Sequence, residues 1–361
     1  MDDLKQLLKS VKLRKPSEPT RDYSNPKTAG FLLPSEIREY QENVLNFNAE
    51  KWLEILQDIT FPTEYCPLYL KEAETIVAVY DRLYKNLDDS LKAAVDWKQN
   101  LSSAEMDLVK EMESRLQKVM DNFLTSDSDY LFVKTSSRSA KDAPLAQERF
   151  KEMYLDLLSK ETEGAERNEN IKVMCLLKAA FMAMRVRSSS EVMDMMMRSE
   201  RIHQDLTLAL EFREKFCENF VVRTFVDIDV DMEFRGFVFQ GVLTAVSQYN
   251  YLIFSPKLVE QKEILQARIE KFYAEIIRPK LESSYFEKIF IIDFAVGRKD
   301  QRLWVIEINP FLVTTDAALF SWEHERSILE GKEGFHFRIT TRPKPGAKTM
   351  LPHSVKALMA L

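Results

Sequence analysis

The sequence predicts an α+β protein, rich in helices up to about residue 215 and built of antiparallel hairpins beyond. Apolar residues recur at helical spacing from Ser35 to about Met120 and again over 145–215. After Phe220 the period shortens to that of strands, in Phe220–Val226, Phe234–Phe239 and Val242–Gln248. Two turn sequences, Gln240-Gly241 and Gly297–Gln301, sit where hairpins would close.

Taken in order, residues 1–14 carry Leu4, Leu7, Leu8 and Val11 at helical spacing beside a basic face (Lys5, Lys9, Lys12, Arg14, Lys15). A Pro-, Ser- and Thr-rich stretch follows, so 1–30 is expected to be a flexible arm. Ser35 can cap a helix whose first turn holds Glu36 and Glu39, and Ser102 with Glu105 forms a capping-box sequence. Asp129–Lys134 reads as a short strand ending in a lysine, and Thr135–Pro144 as a polar loop. The run Met193, Met195, Met196, Met197 reads as core filler. Pro256 opens a helix to about Ile277 with Leu258, Leu265, Ile269, Phe272 and Ile276 on one face. The last hairpin pairs Ile289–Val296 with Arg302–Ile308. This divides the chain into the arm, a helical region with a first lobe (31–215), a second lobe carrying a metal-binding hairpin (216–330), and a basic, poorly patterned tail (331–361).

With 361 residues, 45% of them apolar, the chain can bury a core without staples. The 57 acidic and 51 basic residues leave a charge of -6, which gives no strong signal for nucleic acid or anionic lipid. The three cysteines, Cys66, Cys175 and Cys217, have neither zinc-site nor disulfide spacing. Neither a signal peptide nor a membrane-spanning stretch is legible. The expected location is the cytoplasm. Walker A, GxGxxG and GxSxG patterns do not occur.

The chemistry concentrates on the last hairpin. Asp293 interrupts Ile289-Phe-Ile-Ile-Asp-Phe294 and Glu307 interrupts Leu303-Trp-Val-Ile-Glu-Ile308. Carboxylates in such runs need compensation. Glu307 and Asn309 share one strand face, and the hairpin can bring Asp293 opposite them. Three oxygen donors then converge in a set suited to Mg2+. The alternative is that the two acids are salt-bridged in the core, for example to Arg235 or Arg223. Asp227-Ile-Asp-Val-Asp-Met-Glu-Phe-Arg235 is no calcium loop, because Met232 and Val238 stand where Gly and Glu are required. It reads as an exposed connection, with Glu233 and Arg235 at the mouth of the next strand. Arg235 could present its guanidinium to phosphates or form an ordinary ion pair with Glu233 or Asp231. Lys134 could meet phosphates beside the polar loop or simply be solvated.

Val222–Val238 with Val246-Ser-Gln-Tyr249, Phe290–Phe294, Leu303–Phe311 and Thr315–Glu323 resemble the cell division cycle protein 123 family. More weakly, so do Ser189–Leu206 and Lys134 with the Lys141-Asp-Ala143 loop. The resemblance implies an ATP-grasp fold: two α+β lobes with antiparallel sheets enclosing ATP and Mg2+, plus an N-terminal helical region. It also implies a role as a chaperone assembling eukaryotic translation initiation factor 2 through its gamma subunit. By position, Asp293, Glu307 and Asn309 match the metal ligands, and Lys134 and Arg235 the phosphate-facing cations. The expected nucleotide-binding set is Lys134, Arg223, Glu233 and Arg235, with Arg235 in the catalytic role. Glu307 stands where the family usually has Asp, and Ser137 and Ala140 replace its usual Trp and Pro. Residues 1–120 carry little similarity. An ATP-dependent ligase or phosphotransferase is the alternative activity, and a scaffold that has lost its nucleotide the third.

Overall fold

The computed structural model describes residues 42–360, apart from 88, 93, 128, 162–167 and 352. The expected arm and the Ser35 cap lie outside the described residues. The rest folds as a mixed α+β chain around two sheets.

The first sheet has three antiparallel strands in the order β1-β3-β2, where β1 is Thr63–Leu68, β2 Leu131–Thr135 and β3 Glu218–Thr224. The region from Ser35 to Met120 is therefore not wholly helical. Pro67 disguises β1, and it is tolerated because β1 is an edge strand with one side free of the ladder. β3, expected to open the second lobe, pairs with the strands before it and completes this sheet. Strand alternation sorts its residues: Phe220 and Val222 enter a core with the helices, while Val221 packs toward the second sheet.

That core is closed by α1 (Leu70–Leu83), α2 (Ser103–Asp121), α5 (Ser189–Arg198) and α6 (Glu200–Glu211), which contribute Ile76, Val79, Met112, Leu116, Met193 and Leu206. The methionine run is core filler as expected: Met193 and Met197 are fully buried. The Ser102–Glu105 capping box forms, with the Ser102 N–H donating to Glu105 Oε2 at 2.8 Å and the Glu105 N–H to Ser102 Oγ at 3.3 Å. In sequence between α2 and α5, α3 (Glu148–Glu161) and α4 (Glu169–Ala183) form a separate cluster, packing on each other and on Leu351, Val355 and Met359.

The second sheet runs β7-β6-β4-β5-β8, with β4 Ile228–Phe239, β5 Val242–Gln248, β6 Phe290–Gly297, β7 Leu303–Pro310 and β8 His336–Arg338. Its first four strands are antiparallel, and β8 adds parallel to β5. The tail from Gly331 thus contributes a strand and the packed turns around Leu351. Gln240 and Gly241 both take positive φ, 52° and 75°, the conformation a tight two-residue hairpin turn needs. Of the alternating acids, Asp229, Asp231 and Glu233 lie within β4 and not in a loop, and Asp227 just precedes it; Asp229 is held by Arg298 at 3.5 Å and Lys257 at 3.6 Å.

One face of this sheet, through Phe234, Phe290, Ile292 and Phe294, packs on Leu265, Ile269 and Phe272 of α7 (Lys262–Phe272). The helix continues past the expected end near Ile277, through a π turn at Tyr273–Ile277, to Ser283. The wide turn precedes Pro279, which has no N–H to donate back into the helix. The other face carries Arg235, Phe237, Ile291 and Asp293 by the same alternation. Among the described residues no helix is long and apolar enough to cross a membrane.

Candidate functional site: a polar cleft joined to an apolar pocket

The two sheets meet at a seam that fixes the site. Thr60 forms a parallel bridge to Val305: the Val305 N–H donates to Ile59 O at 2.9 Å and Thr60 Oγ1 to Val305 O at 2.7 Å. Arg223, 4% exposed, reaches across from β3. Its Nη1 donates to Ile306 O at 2.7 Å, Nη2 to Thr60 Oγ1 at 2.6 Å and Nε to Thr63 Oγ1 at 3.2 Å. Burial pulls its pKa down to about 10, partly offset by the charge of Glu307. Arg223 thus works mainly as a clamp between the sheets.

Beside the seam lies a polar cleft of about 330 Å³. Its walls carry five cations, Lys134, Arg138, Lys141, Arg201 and Arg235, against three carboxylates, Asp205, Glu307 and Asp316. It adjoins a mainly apolar pocket of about 270 Å³ lined by Phe132, Leu177, Phe181, Met184 and Ile306, with Arg223 and Glu233 also on its wall. Lys141 and Tyr249 line both spaces. A larger groove of about 960 Å³ brings together none of the expected site residues.

The expected residues fall into three groups. Lys134, Arg235, Glu307 and Asn309 line the polar cleft. Arg223 and Glu233 line the apolar pocket. Asp293 lies behind the wall, 2% exposed. It faces Glu307 across β6 and β7, as the hairpin register requires.

Both carboxylates are already paired with cations. Arg235 Nε donates to Asp293 Oδ1 at 2.9 Å and Nη2 to Oδ2 at 2.8 Å, while Nη1 donates to Asp316 O at 2.8 Å. Burial is the largest influence on Arg235 and works against its charge, but the Asp293 pair outweighs it and raises the pKa. The guanidinium expected to meet phosphates is therefore held edge-on by Asp293, with Tyr249 4.8 Å below it. Lys134 Nζ donates to Glu307 Oε1. Burial alone would raise the Glu307 carboxyl, but the charge and hydrogen bond of Lys134, with Lys141 and Arg235, hold it at about 2. Glu233 goes the other way: burial, reinforced by Asp293, lifts it to about 7 despite Lys141 and Arg235.

Among the described residues no three of His, Cys, Asp and Glu converge as a metal cluster. The hairpin offers two carboxylates and the Asn309 amide, whose nitrogen is 3.4 Å from Asp293 Oδ2. Each carboxylate keeps unused lone pairs, and the set is all oxygen once the amide turns its carbonyl inward, so it fits a small hard cation.

Spacing did not single out Lys141, Arg201 and Tyr249. Asp142 explains two of them. Its carboxylate accepts from Ser199 Oγ at 2.5 Å and from the Glu200 and Arg201 N–H groups at 2.7 and 3.3 Å. It thereby caps α6 and sets Lys141 beside Arg201 at the cleft. Burial, with Arg138 nearby, lowers the Arg201 pKa. Lys141 Nζ donates to Tyr249 Oη at 3.4 Å. The signal for Lys141 and Tyr249 was present in segments that carry the family resemblance.

Comparison with known proteins agrees with that resemblance. A translation initiation factor eIF2 assembly protein of Emericella nidulans is 36% identical over 106 residues, 29% of this chain and 24% of that protein. One from Kluyveromyces lactis is 31% identical over 140 residues, 37% of this chain and 36% of that protein. The matches thus span about a quarter to a third of these relatives' lengths. The solved structure of Cdc123 from Schizosaccharomyces pombe superposes with a TM-score of 0.54 at 17% identity, covering 83% of this chain and 97% of that one, a likeness of fold. The D123 family model matches residues 177–358, which include β3 to β8, most of the apolar pocket's wall and about half of the polar cleft's. The chain belongs to the D123 family, that of the Cdc123 proteins.

Proposed function

We propose that the chain binds Mg-ATP in the manner of an ATP-grasp protein and serves in the cytoplasm as an assembly chaperone for translation initiation factor eIF2, gripping its gamma subunit. One observation carries the nucleotide part: a cleft with an excess of cations adjoins an apolar pocket, with Lys141 and Tyr249 on the walls of both. A triphosphate suits the first space and a purine ring the second.

In this reading Lys141, Arg201 and Lys134 draw in the phosphates, and the Arg223 seam keeps the pocket at a fixed width. Glu307 and Asn309, backed by Asp293, would hold the magnesium. When bound, that ion neutralises phosphate charge and orients the chain of phosphates. Lys134 must then share Glu307 with the ion, and Arg235 keeps Asp293 ionised and in place. The eIF2 part rests on the names of the relatives from Emericella nidulans and Kluyveromyces lactis.

The test is a binding assay with purified eIF2 alpha, beta and gamma subunits, each offered to the full chain with and without Mg-ATP. Retention of gamma, lost in a Lys141→Ala plus Glu307→Gln variant, is expected. Retention of none of the three would remove the assembly role.

A further inference from the structure

Behind Asn48 and Ser136 of the polar cleft's wall is a carboxyl that the proposed nucleotide site does not use. Glu218, the first residue of β3, is 5% exposed, and its Oε2 has no hydrogen-bond partner among the described residues. Asn48, 4% exposed and on the cleft wall, has an equally unpartnered Oδ1. The Asn48 side chain and the Ser136 backbone N–H both hydrogen-bond the Glu218 carboxyl.

The charges facing Glu218 are of its own sign. Glu50 comes from the same segment as Asn48, and Asp205 from α6. Glu50 Oε1 is tied to Ser136 Oγ at 2.5 Å and to Asn219 Nδ2 at 2.6 Å. Asp205 is tied to Ser137 Oγ and to Arg138, whose Nε lies 3.5 Å away. An ionised Glu218 would be a buried anion beside two others, with an oxygen facing nothing. A metal ion would relieve this, but among the described residues no set of three such side chains is close enough to ligate one. A proton relieves it with the atoms present. The neutral acid offers an O–H donor and a carbonyl acceptor, and the Asn48 amide an N–H donor and a carbonyl acceptor, so the two can close a paired ring in which both unpartnered oxygens are used.

We propose that Glu218 is a protonated latch, sharing its proton with Asn48 and so tying the Asn48–Glu50 segment and the Ser136–Arg138 loop onto β3. Loss of the proton puts three carboxylates together and releases that loop, which forms one wall of the cleft. Burial, then Asp205 and Glu50, push the Glu218 pKa well above the usual carboxylate value. The folded state therefore binds a proton that the unfolded chain has released, and stability falls as pH rises from the unfolded value of about 4.3 until the folded proton is lost.

The experiment is chemical unfolding of wild type and Glu218→Gln at stepped pH, with amide exchange at Ser136 and Ser137. The amide of Gln can keep the ring without a titrating proton. The ratio of folding constants, variant over wild type, should rise about tenfold per pH unit through this window. Exchange, corrected for its intrinsic pH dependence, should accelerate with pH in wild type only. Parallel stability curves overturn the proposal. Should Glu218→Gln fail to fold, infrared spectra of Glu233→Gln protein at pH 7 decide. A protonated-carboxyl band that shifts on adding Asn48→Ala supports the latch, and absence of such a band excludes it.

Discussion

Asp293→Asn tests the internal pairing of the hairpin most sharply. The substitution is nearly isosteric and removes the charge opposite Arg235, a side chain only 7% exposed. Two charge-assisted hydrogen bonds of 2.8 and 2.9 Å are at stake, and the amide can replace only one of them. Such bonds contribute about 1.5–3 kcal/mol each, and breaking one side of a buried pair costs about 3–5 kcal/mol. The expected loss is therefore about 3 kcal/mol or more in urea unfolding at pH 7. Replacing both partners with apolar residues, Asp293→Leu with Arg235→Met, should recover most of it, because no charge is then left buried. A single-variant loss under about 1 kcal/mol, or a double variant as damaged as the sum of the singles, would refute the reasoning.

Two further outcomes follow from the same geometry. Lys134→Met should lift the Glu307 carboxyl from about 2, since burial then acts with its main opponent removed. Wild type gains stability from this group above its unfolded value of about 4.3 and loses it as pH falls toward 2, so the variant should flatten that acid limb. A carboxyl carbon titration by NMR reads it directly, and an unmoved Glu307 would show that Lys134 does not hold it. Gly236→Ala should lower the melting temperature, because a Cβ there would sit 2.7 Å from Phe294 Cε2 and 2.9 Å from Leu243 Cδ1. Overpacking of this kind costs about 1–3 kcal/mol, and an unchanged melting curve would contradict the packing.

Local signals located most elements. The Ser102 capping box, the Gln240-Gly241 turn and the alternation in β5 to β7 each act over a few residues, and each is where the sequence places it, whereas β4 starts six residues before the expected Phe234, at Ile228. β1 and β8 were not legible, because a short edge strand is defined by its neighbour more than by its own residues, and Pro67 argues against one. The assignment of β3 to the first sheet is a long-range pairing with Thr63–Leu68 and Leu131–Thr135, invisible to periodicity.

The site was legible in its members more than in its wiring. Strand alternation and hairpin register placed Asp293 opposite Glu307. Arg235, named among the possible partners of the acids, takes Asp293 from directly across β4 and β6, but alternation and register did not reveal that Lys134 takes Glu307, a pairing that depends on how the two sheets meet. Arg223 drew notice as a possible partner of the acids and proves to bind the carbonyl of Ile306 and the hydroxyls of Thr60 and Thr63. Arg201 owes its place to Asp142 capping α6, a contact between residues 59 apart in sequence.

Calorimetric titration of the full chain with ATP, with and without magnesium, bears most directly on the central claim that the joined cleft and pocket hold a nucleotide. The account predicts magnesium-dependent binding that weakens at least about tenfold, or about 1.4 kcal/mol, in Lys141→Ala and in Glu307→Gln. Folded wild-type protein that takes up no ATP in the presence of magnesium would contradict it.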